Sequence, residues 1–383
     1  MSSLKLIISN PRYFGPAWVF ASLNILFGTW AIYIPSVKAD LGINKATLGI
    51  AIFFLSLGVF IIFPIASKII NKIGVGRATS IGIFISCIAA LFPLIAPGFV
   101  SLAIALLFFG ATNGFTDISM NTLVTEIEKE DKQKFMSASH GFFSLGGVLA
   151  GLGSFLIPVI DNRGLHMLLA VLLVLSVNFI FYKRYYKVVA APIEKEVFSI
   201  KIFKPLLLLG VVSFVIMGSE GAIVDWSGLF LKEVSLAPEA IWGAGFLGFQ
   251  VFMTLGRFLG DAISSRIGSV KIVALGSVIA VIGYFMVLTT EMYLAIAGFA
   301  LTGLGFSVIV PELFRIGGNV KGVESSQGVA FIAGSGYSGF LVGPVILGFI
   351  AEEFSLSLSF ITLLVCSVVV FGATFLLKRK KPD

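Results

Sequence analysis

Lys38, Gly49, Lys72, Gly74 and Arg77 recur as Lys232, Gly243, Arg266, Gly268 and Lys271, each 194 positions later (38 + 194 = 232, 77 + 194 = 271), within 383 residues. Two copies of one design are therefore joined end to end. A duplication in a soluble chain would give two water-covered domains or a solenoid. This chain is 57% apolar and only 12% charged, with a mean hydropathy of +1.04, which leaves too little charge to cover a soluble surface. The repeat is a membrane repeat.

Apolar stretches of about 20 residues, the length that crosses a bilayer as helix, follow one another almost without pause. Twelve are predicted, over residues 13–37, 45–69, 77–97, 100–122, 135–159, 164–184, 204–230, 239–262, 270–290, 292–314, 326–351 and 355–377. Runs such as LLLLGVVSFVIMG do not alternate, which excludes transmembrane strands. The expectation is an all-α membrane protein with twelve transmembrane helices in two six-helix bundles. Residues 1–187 form the first bundle, 188–203 a cytoplasmic linker and 204–383 the second bundle.

A net charge of +7 can signal nucleic acid, but here the basic residues collect in alternate loops, the pattern of a helical membrane protein with those loops in the cytoplasm. Only Lys38, Lys45, Arg163 and Lys232 fall on the opposite side. With an even number of spans, both termini are expected in the cytoplasm of a multi-pass inner-membrane protein. Cys87 and Cys366 lie inside apolar spans and read as small core residues, without disulfide or metal role. The N-terminal MSSLKLIISNPRYFG has no convincing cleavage site, so the first span is expected to be retained.

The stretch KRYYKVVAAPIEKEVFSIKIFKP gathers charge and proline between the sixth and seventh spans and reads as the linker, lying against anionic headgroups. After the second span comes NKIGVGR (Asn71 to Arg77), and after the eighth GRFLGDAISSRIGSVK (Gly256 to Lys271). Both resemble the Gly-x-x-x-Asp-Arg-x-Gly-Arg loop of the major facilitator superfamily, with Asn71 where that family usually has Asp, and Asp261 five residues before Arg266. The resemblance implies two parallel repeats about an axis normal to the membrane, with substrate near the midplane. It also implies a gating or structural part for Asn71, Arg77, Asp261 and Arg266, in which Asn71 weakens the first copy; ion-pair spacing adds Arg257, Glu312 and Arg315 to that set. More narrowly, FTDISMNTLVTEIE, SASHGFFSLGGVLAG and GSEGAIVDWSGLFL are similar to the rhizopine-permease-like and fucose-permease-like branch.

Polar residues inside the spans are the candidate site. Asn113, Asp117 and Asn121 lie at i, i+4, i+8 and share one helix face. An intramembrane carboxylate is costly and by default functional; the bland alternative is a bond to a neighbouring helix. Ser137, His140 and Ser144 form a second stripe, in which His140 is either a core hydrogen-bonder or a relay group. His166 reads as an exposed loop residue, and Glu126 as a structural partner of Lys129 or Lys132 in a solvated loop. In MGSEGAIVDWS, Gly218 and Gly221 bracket Glu220, a pattern that favours local unwinding; Asp225 and Trp226 follow. Trp226 suits stacking on a sugar face or interfacial anchoring. Glu312 and Arg315, three apart, and Arg257 and Asp261, four apart, allow ion pairs. Asn24, Trp30, Tyr33 and Gln250 are further candidates that equally serve as interhelical glue.

These residues point to a secondary active transporter of a small hydrophilic solute, such as a sugar, cyclitol or polyol, working by alternating access with proton-coupled import. Substrate contacts are expected from Asn24, Trp30, Tyr33, Asn113, Asn121, His140, Trp226 and Gln250, and proton coupling from Asp117, Glu220 and Asp225. The alternatives are proton-antiport efflux of amphipathic compounds and a non-transporting membrane receptor. The sequence contains no P-loop, HExxH, GxSxG or paired metal-spaced histidines, so no enzyme is expected. Nor is any cofactor, metal or nucleic acid; the partners are solute, protons and the bilayer, and the chain is expected to act as a monomer.

Overall fold

The computed structural model describes residues 3–189, 203–320, 323 and 325–379, except for some side chains, among them those of Ser137 and Asp261. Most of the expected linker, 188–203, lies outside that set. Every element among the described residues is helical. The long helices are α1 (Pro11–Ile32), α2 (Lys45–Ile73), α3 (Val75–Ala90), α4 (Phe99–Asp131), α5 (Met136–Gly153), α6 (Arg163–Phe181), α7 (Phe203–Glu233), α8 (Ala244–Ile267), α9 (Ser269–Val287), α10 (Met292–Phe306), α11 (Ser325–Glu353) and α12 (Leu356–Arg379). Eleven of the predicted spans are long and apolar enough to cross a membrane. The remaining one, α8, has 24 residues, about 36 Å and sufficient length, but Gln250, Arg257, Asp261 and Arg266 dilute its apolar character.

The chain divides into two compact units, one of residues 1–43 with 50–194 and one of 44–49 with 195–383. In the first, α1 packs on α5 and α6, and α3 on α4; in the second, α7 packs on α11, and α10 on both α8 and α9. The same backbone approaches hold each unit together. A methyl group on Gly146 of α5 would strike the carbonyl oxygen of Ala21 in α1, and one on Gly339 of α11 that of Phe214 in α7. Likewise, a methyl on Gly110 of α4 would strike the carbonyl of Leu55 in α2, and one on Gly303 of α10 that of Phe249 in α8. Both glycine pairs are 193 positions apart (339 − 146, 303 − 110), so the sequence repeat is a repeat of helix contacts.

The repeated loop glycines carry the same conformation. Gly74 (φ 87°, ψ 144°) joins α2 to α3, and Gly268 (φ 88°, ψ 153°) joins α8 to α9. A residue with a side chain is strained at that φ, which accounts for glycine in both copies.

Three local expectations change. First, α4 does not stop at residue 122 but runs 33 residues to Asp131, about 50 Å. The segment expected as a solvated loop is good helix former, and Glu126 pairs with Lys129 at 2.7 Å across one turn before Lys132 ends the helix at φ 52°. Second, α7 is unbroken through Gly218 and Gly221, because those glycines serve packing, against Gly339 and the Phe340 ring of α11. Third, a break occurs in the tenth span instead, where α10 ends at Phe306 and a nine-residue helix, Ile309–Gly317, starts again.

Candidate functional site

In the first unit the polar stripe of α4 is present on one half-buried face. Asn121 Nδ2 donates to the Asp117 backbone carbonyl at 2.9 Å and to Asp117 Oδ1 at 3.2 Å, which ties the carboxylate to its own helix. One turn earlier, Asn113 Oδ1 is buried with no hydrogen-bond partner among the described residues. A buried acceptor left open costs free energy of about 1–3 kcal/mol. On α5, His140 is exposed, with its ring edge-on to Phe20 at 5.0 Å.

The candidates on and after α1 turn inward to their own unit. Asn24 donates to the Phe143 carbonyl at 2.9 Å and joins α1 to α5. Trp30 is fully buried, with Nε1 unpartnered. The Tyr33 hydroxyl meets His166 Nδ1 at 2.9 Å, and the rings stand edge to face. His166 is thus a buried core residue, contrary to the expectation of an exposed loop position. The reason is local: α6 starts at Arg163, with Asn162 accepting from Leu165 N as N-cap, so His166 falls in the first turn and faces the bundle.

In the second unit, Glu220 of α7 faces Arg257 of α8, with Oε1 and Nη2 3.6 Å apart and side chains 17% and 22% exposed. That separation is an ion-pair contact but too long for a hydrogen bond, so the pair is loose. Sequence spacing had offered Asp261 as Arg257's partner, and the side chain of Asp261 lies outside the described residues. Further along α7, Asp225 Oδ1, Trp226 Nε1 and Ser227 Oγ are consecutive buried polar atoms without hydrogen-bond partners among the described residues. Trp226 is 1% exposed, with its ring edge against Gly348 of α11, and Gln250 of α8 is buried as well. Glu312, 2% exposed, opens the short helix after the α10 break. Its Oε1 takes Arg315 Nη1 at 2.8 Å, Arg315 Nη1 also donates to Ser264 Oγ of α8 at 3.0 Å, and Glu312 Oε2 has no partner. Among the residues flanking the two glycine joints, Asn71, Arg77 and Arg266 are exposed at helix ends, and the Arg77 guanidinium lies 5.5 Å from the centre of the Tyr186 ring.

Several long-range contacts had no sequence signal, because nothing in local spacing marks a partner a hundred residues away. Arg12 forks onto Asp131 (Nε to Oδ2, 2.6 Å) and Glu130 (Nη2 to Oε2, 2.6 Å), pinning the start of α1 to the end of α4. Arg163 pairs with Asp40 and also donates to the Leu94 carbonyl. Within the second unit, Lys45 Nζ meets Glu233 at 3.0 Å, and its backbone N–H donates to Glu352 at 2.9 Å. Among the described residues no cluster of His, Cys, Asp and Glu has the makings of a metal site.

The family model described as Major Facilitator Superfamily matches residues 18–316. A Yersinia pestis protein described as an MFS-type transporter is 32% identical over 90% of this chain and 89% of its own length. Membrane protein MosC of Rhizobium meliloti is 29% identical, over 95% of this chain and 90% of its own length. Among solved structures, the nucleoside transporter NupG superposes with a TM-score of 0.74 at 14% identity, covering 97% of this chain and all of that one, which is a likeness of fold. The duplicated helix contacts, the glycine loops and these matches together place the chain in the major facilitator superfamily, as a multi-pass secondary transporter and not an enzyme.

Proposed function

We propose that this transporter imports a small hydrophilic solute by alternating access, driven by proton entry, with Asp117, Glu220 and Asp225 as the coupling carboxylates. The observation that carries this reading is unspent hydrogen-bonding capacity close to acid groups in each unit, half-buried at Asp117 and Glu220 and buried at Asp225. Asn113 Oδ1 is open one turn from Asp117, Asp225 Oδ1 is open in α7, and Glu220 is held from Arg257 at 3.6 Å. Open groups beside carboxylates suit a hydroxyl-rich solute and a transferable proton. In this mechanism Asn113, Asn121, His140 and Gln250 supply hydrogen bonds, and protonation of Glu220 loosens its hold on Arg257. The exposed Asn71, Arg77 and Arg266 and the Glu312–Arg315 pair take the gating and structural part.

The similarity to the rhizopine-permease-like and fucose-permease-like branch supports a sugar, cyclitol or polyol. The alternation of basic loops supports both termini in the cytoplasm, and the unit proposed to carry out transport is a monomer in the inner membrane. One proton descending 100 mV supplies about 2.3 kcal/mol, enough for roughly a fiftyfold gradient at one proton per solute. The test is uptake of radiolabelled sugars, cyclitols and nucleosides into proteoliposomes under an imposed proton gradient. Accumulation of at least one solute, abolished by a protonophore, is expected. Accumulation that survives the protonophore, or appears only for amphipathic compounds moving outward, overturns the proposal.

A further inference from the structure

We propose that the groove between α3 and α4 is a binding site for one acyl chain of a membrane phospholipid, separate from the polar groups assigned to transport. The groove encloses about 600 Å³. Its floor is made by Ala89 and Ala105, both buried, and its walls by Phe92, Ile95, Ile104 and Phe108, each more than half exposed.

Two features say what fills it. The only polar lining side chains are Ser101 and Thr112, and both hydroxyls are already spent inside their own helix turn: Ser101 Oγ donates to the Gly98 carbonyl at 2.8 Å, and Thr112 Oγ1 to the Phe109 carbonyl at 2.9 Å. Nothing in the groove asks for a polar solute or water. Its extent along α4, from Ser101 to Thr112, is about 16 Å at 1.5 Å per residue, close to half of the roughly 30 Å hydrocarbon core. The space therefore matches a single chain reaching in from one leaflet. At its end, Ile95 abuts Gly164, beside Arg163, whose guanidinium is neutralised by Asp40. A headgroup there meets a neutral pair, so the site selects for the chain and not for headgroup charge.

Native mass spectrometry of the detergent-purified protein, exchanged in turn into phosphatidylcholine and phosphatidylglycerol, tests this. The wild type is expected to retain one lipid of either headgroup. Ala105→Trp from the α4 side of the floor and, independently, Ala89→Trp from the α3 side should each lose it. Phe179→Ala, on an exposed position of α6, should keep it. Complete delipidation of the folded wild type, retention of the lipid by a folded Trp variant, or retention of phosphatidylglycerol alone overturns the proposal. So does disulfide dimerisation of Ser101→Cys in membranes, which would assign the groove to a second copy of the chain.

Discussion

The two units share their packing and differ in their chemistry. Gly146 with Ala21 and Gly110 with Leu55 in the first unit correspond to Gly339 with Phe214 and Gly303 with Phe249 in the second, contact for contact. At the same displacement, the polar stripe Asn113, Asp117, Asn121 of α4 falls on Phe306, Val310 and Phe314, while Glu220 and Asp225 fall back on Phe27 and Ile32. Arg257 corresponds to Phe63 by the 194-residue register of α2 and α8. Backbone contacts that only glycine permits cannot drift without overpacking the helix pair. Side chains facing the interior can, once one of two copies carries the polar group. The difference teaches that the duplication fixes the frame of helix contacts and leaves the interior polar residues free to differ between the units.

The largest effect that sharpens this division is loss of driven transport. Asp117→Asn and Glu220→Gln are each expected to drop the accumulation ratio from as much as about fiftyfold to equality, while counterflow exchange of solute persists in Glu220→Gln. Proteoliposome uptake measures both. Rescue of Asp117→Asn by the symmetry-related Val310→Asp would break the comparison, since it would make the two units interchangeable.

The shared frame predicts matched losses of stability. Gly110→Ala and Gly303→Ala each place a methyl against a carbonyl oxygen of the neighbouring helix, and each should cost about 1–3 kcal/mol. Thermal unfolding of detergent-solubilised protein, followed by size-exclusion fluorescence, should show similar shifts for the two. If one is silent while the other unfolds the protein, the register that equates them is wrong.

The frame was legible in the sequence because it is local and periodic: hydropathy marked the spans, and the 194-residue repeat marked the loops whose glycines share φ near +87°. The stripe of α4 was legible because i, i+4, i+8 spacing fixes a shared helix face. What spacing cannot carry is a partner on another helix, as with Glu220 and Arg257, or whether a glycine unwinds a helix or packs it, as Gly218 and Gly221 do. His166 was misplaced for a related reason: its Asp161 and Arg163 neighbours look like loop, but the Asn162 cap starts a helix there and turns the ring inward.

A smaller, one-sided effect is expected at Arg12. Its fork to Asp131 and Glu130 belongs to the first unit alone, since the corresponding position in the second is Pro205. All three side chains are partly solvated, so screening limits the loss in Arg12→Gln to about 1 kcal/mol. The loss should shrink further when thermal unfolding is repeated in high salt; insensitivity to salt would mean that Arg12 acts through packing of its aliphatic stem.

The smallest effect separates the two copies of the loop itself. Arg77 and Lys271 are the same position of the repeat, both exposed, but only Arg77 has an aromatic face against it among the described residues, the ring of Tyr186 in the segment that leaves α6. The same segment is tied to the loop by the Gly76 N–H, which donates to the Val188 carbonyl at 3.0 Å. An exposed guanidinium over a ring contributes about 0.5–1 kcal/mol, so Arg77→Gln should lower stability by that amount and Lys271→Gln by less than the error of the measurement. Tyr186→Leu should lower it by more, since its ring also stands edge to face with Tyr182, and adding Arg77→Gln to it should cost almost nothing further, because the guanidinium has then already lost its ring. If instead Lys271→Gln matches Arg77→Gln and the double variant is additive, the basic residue acts alike in both loops, through charge alone, and the chain leaving α6 has no part in holding the first.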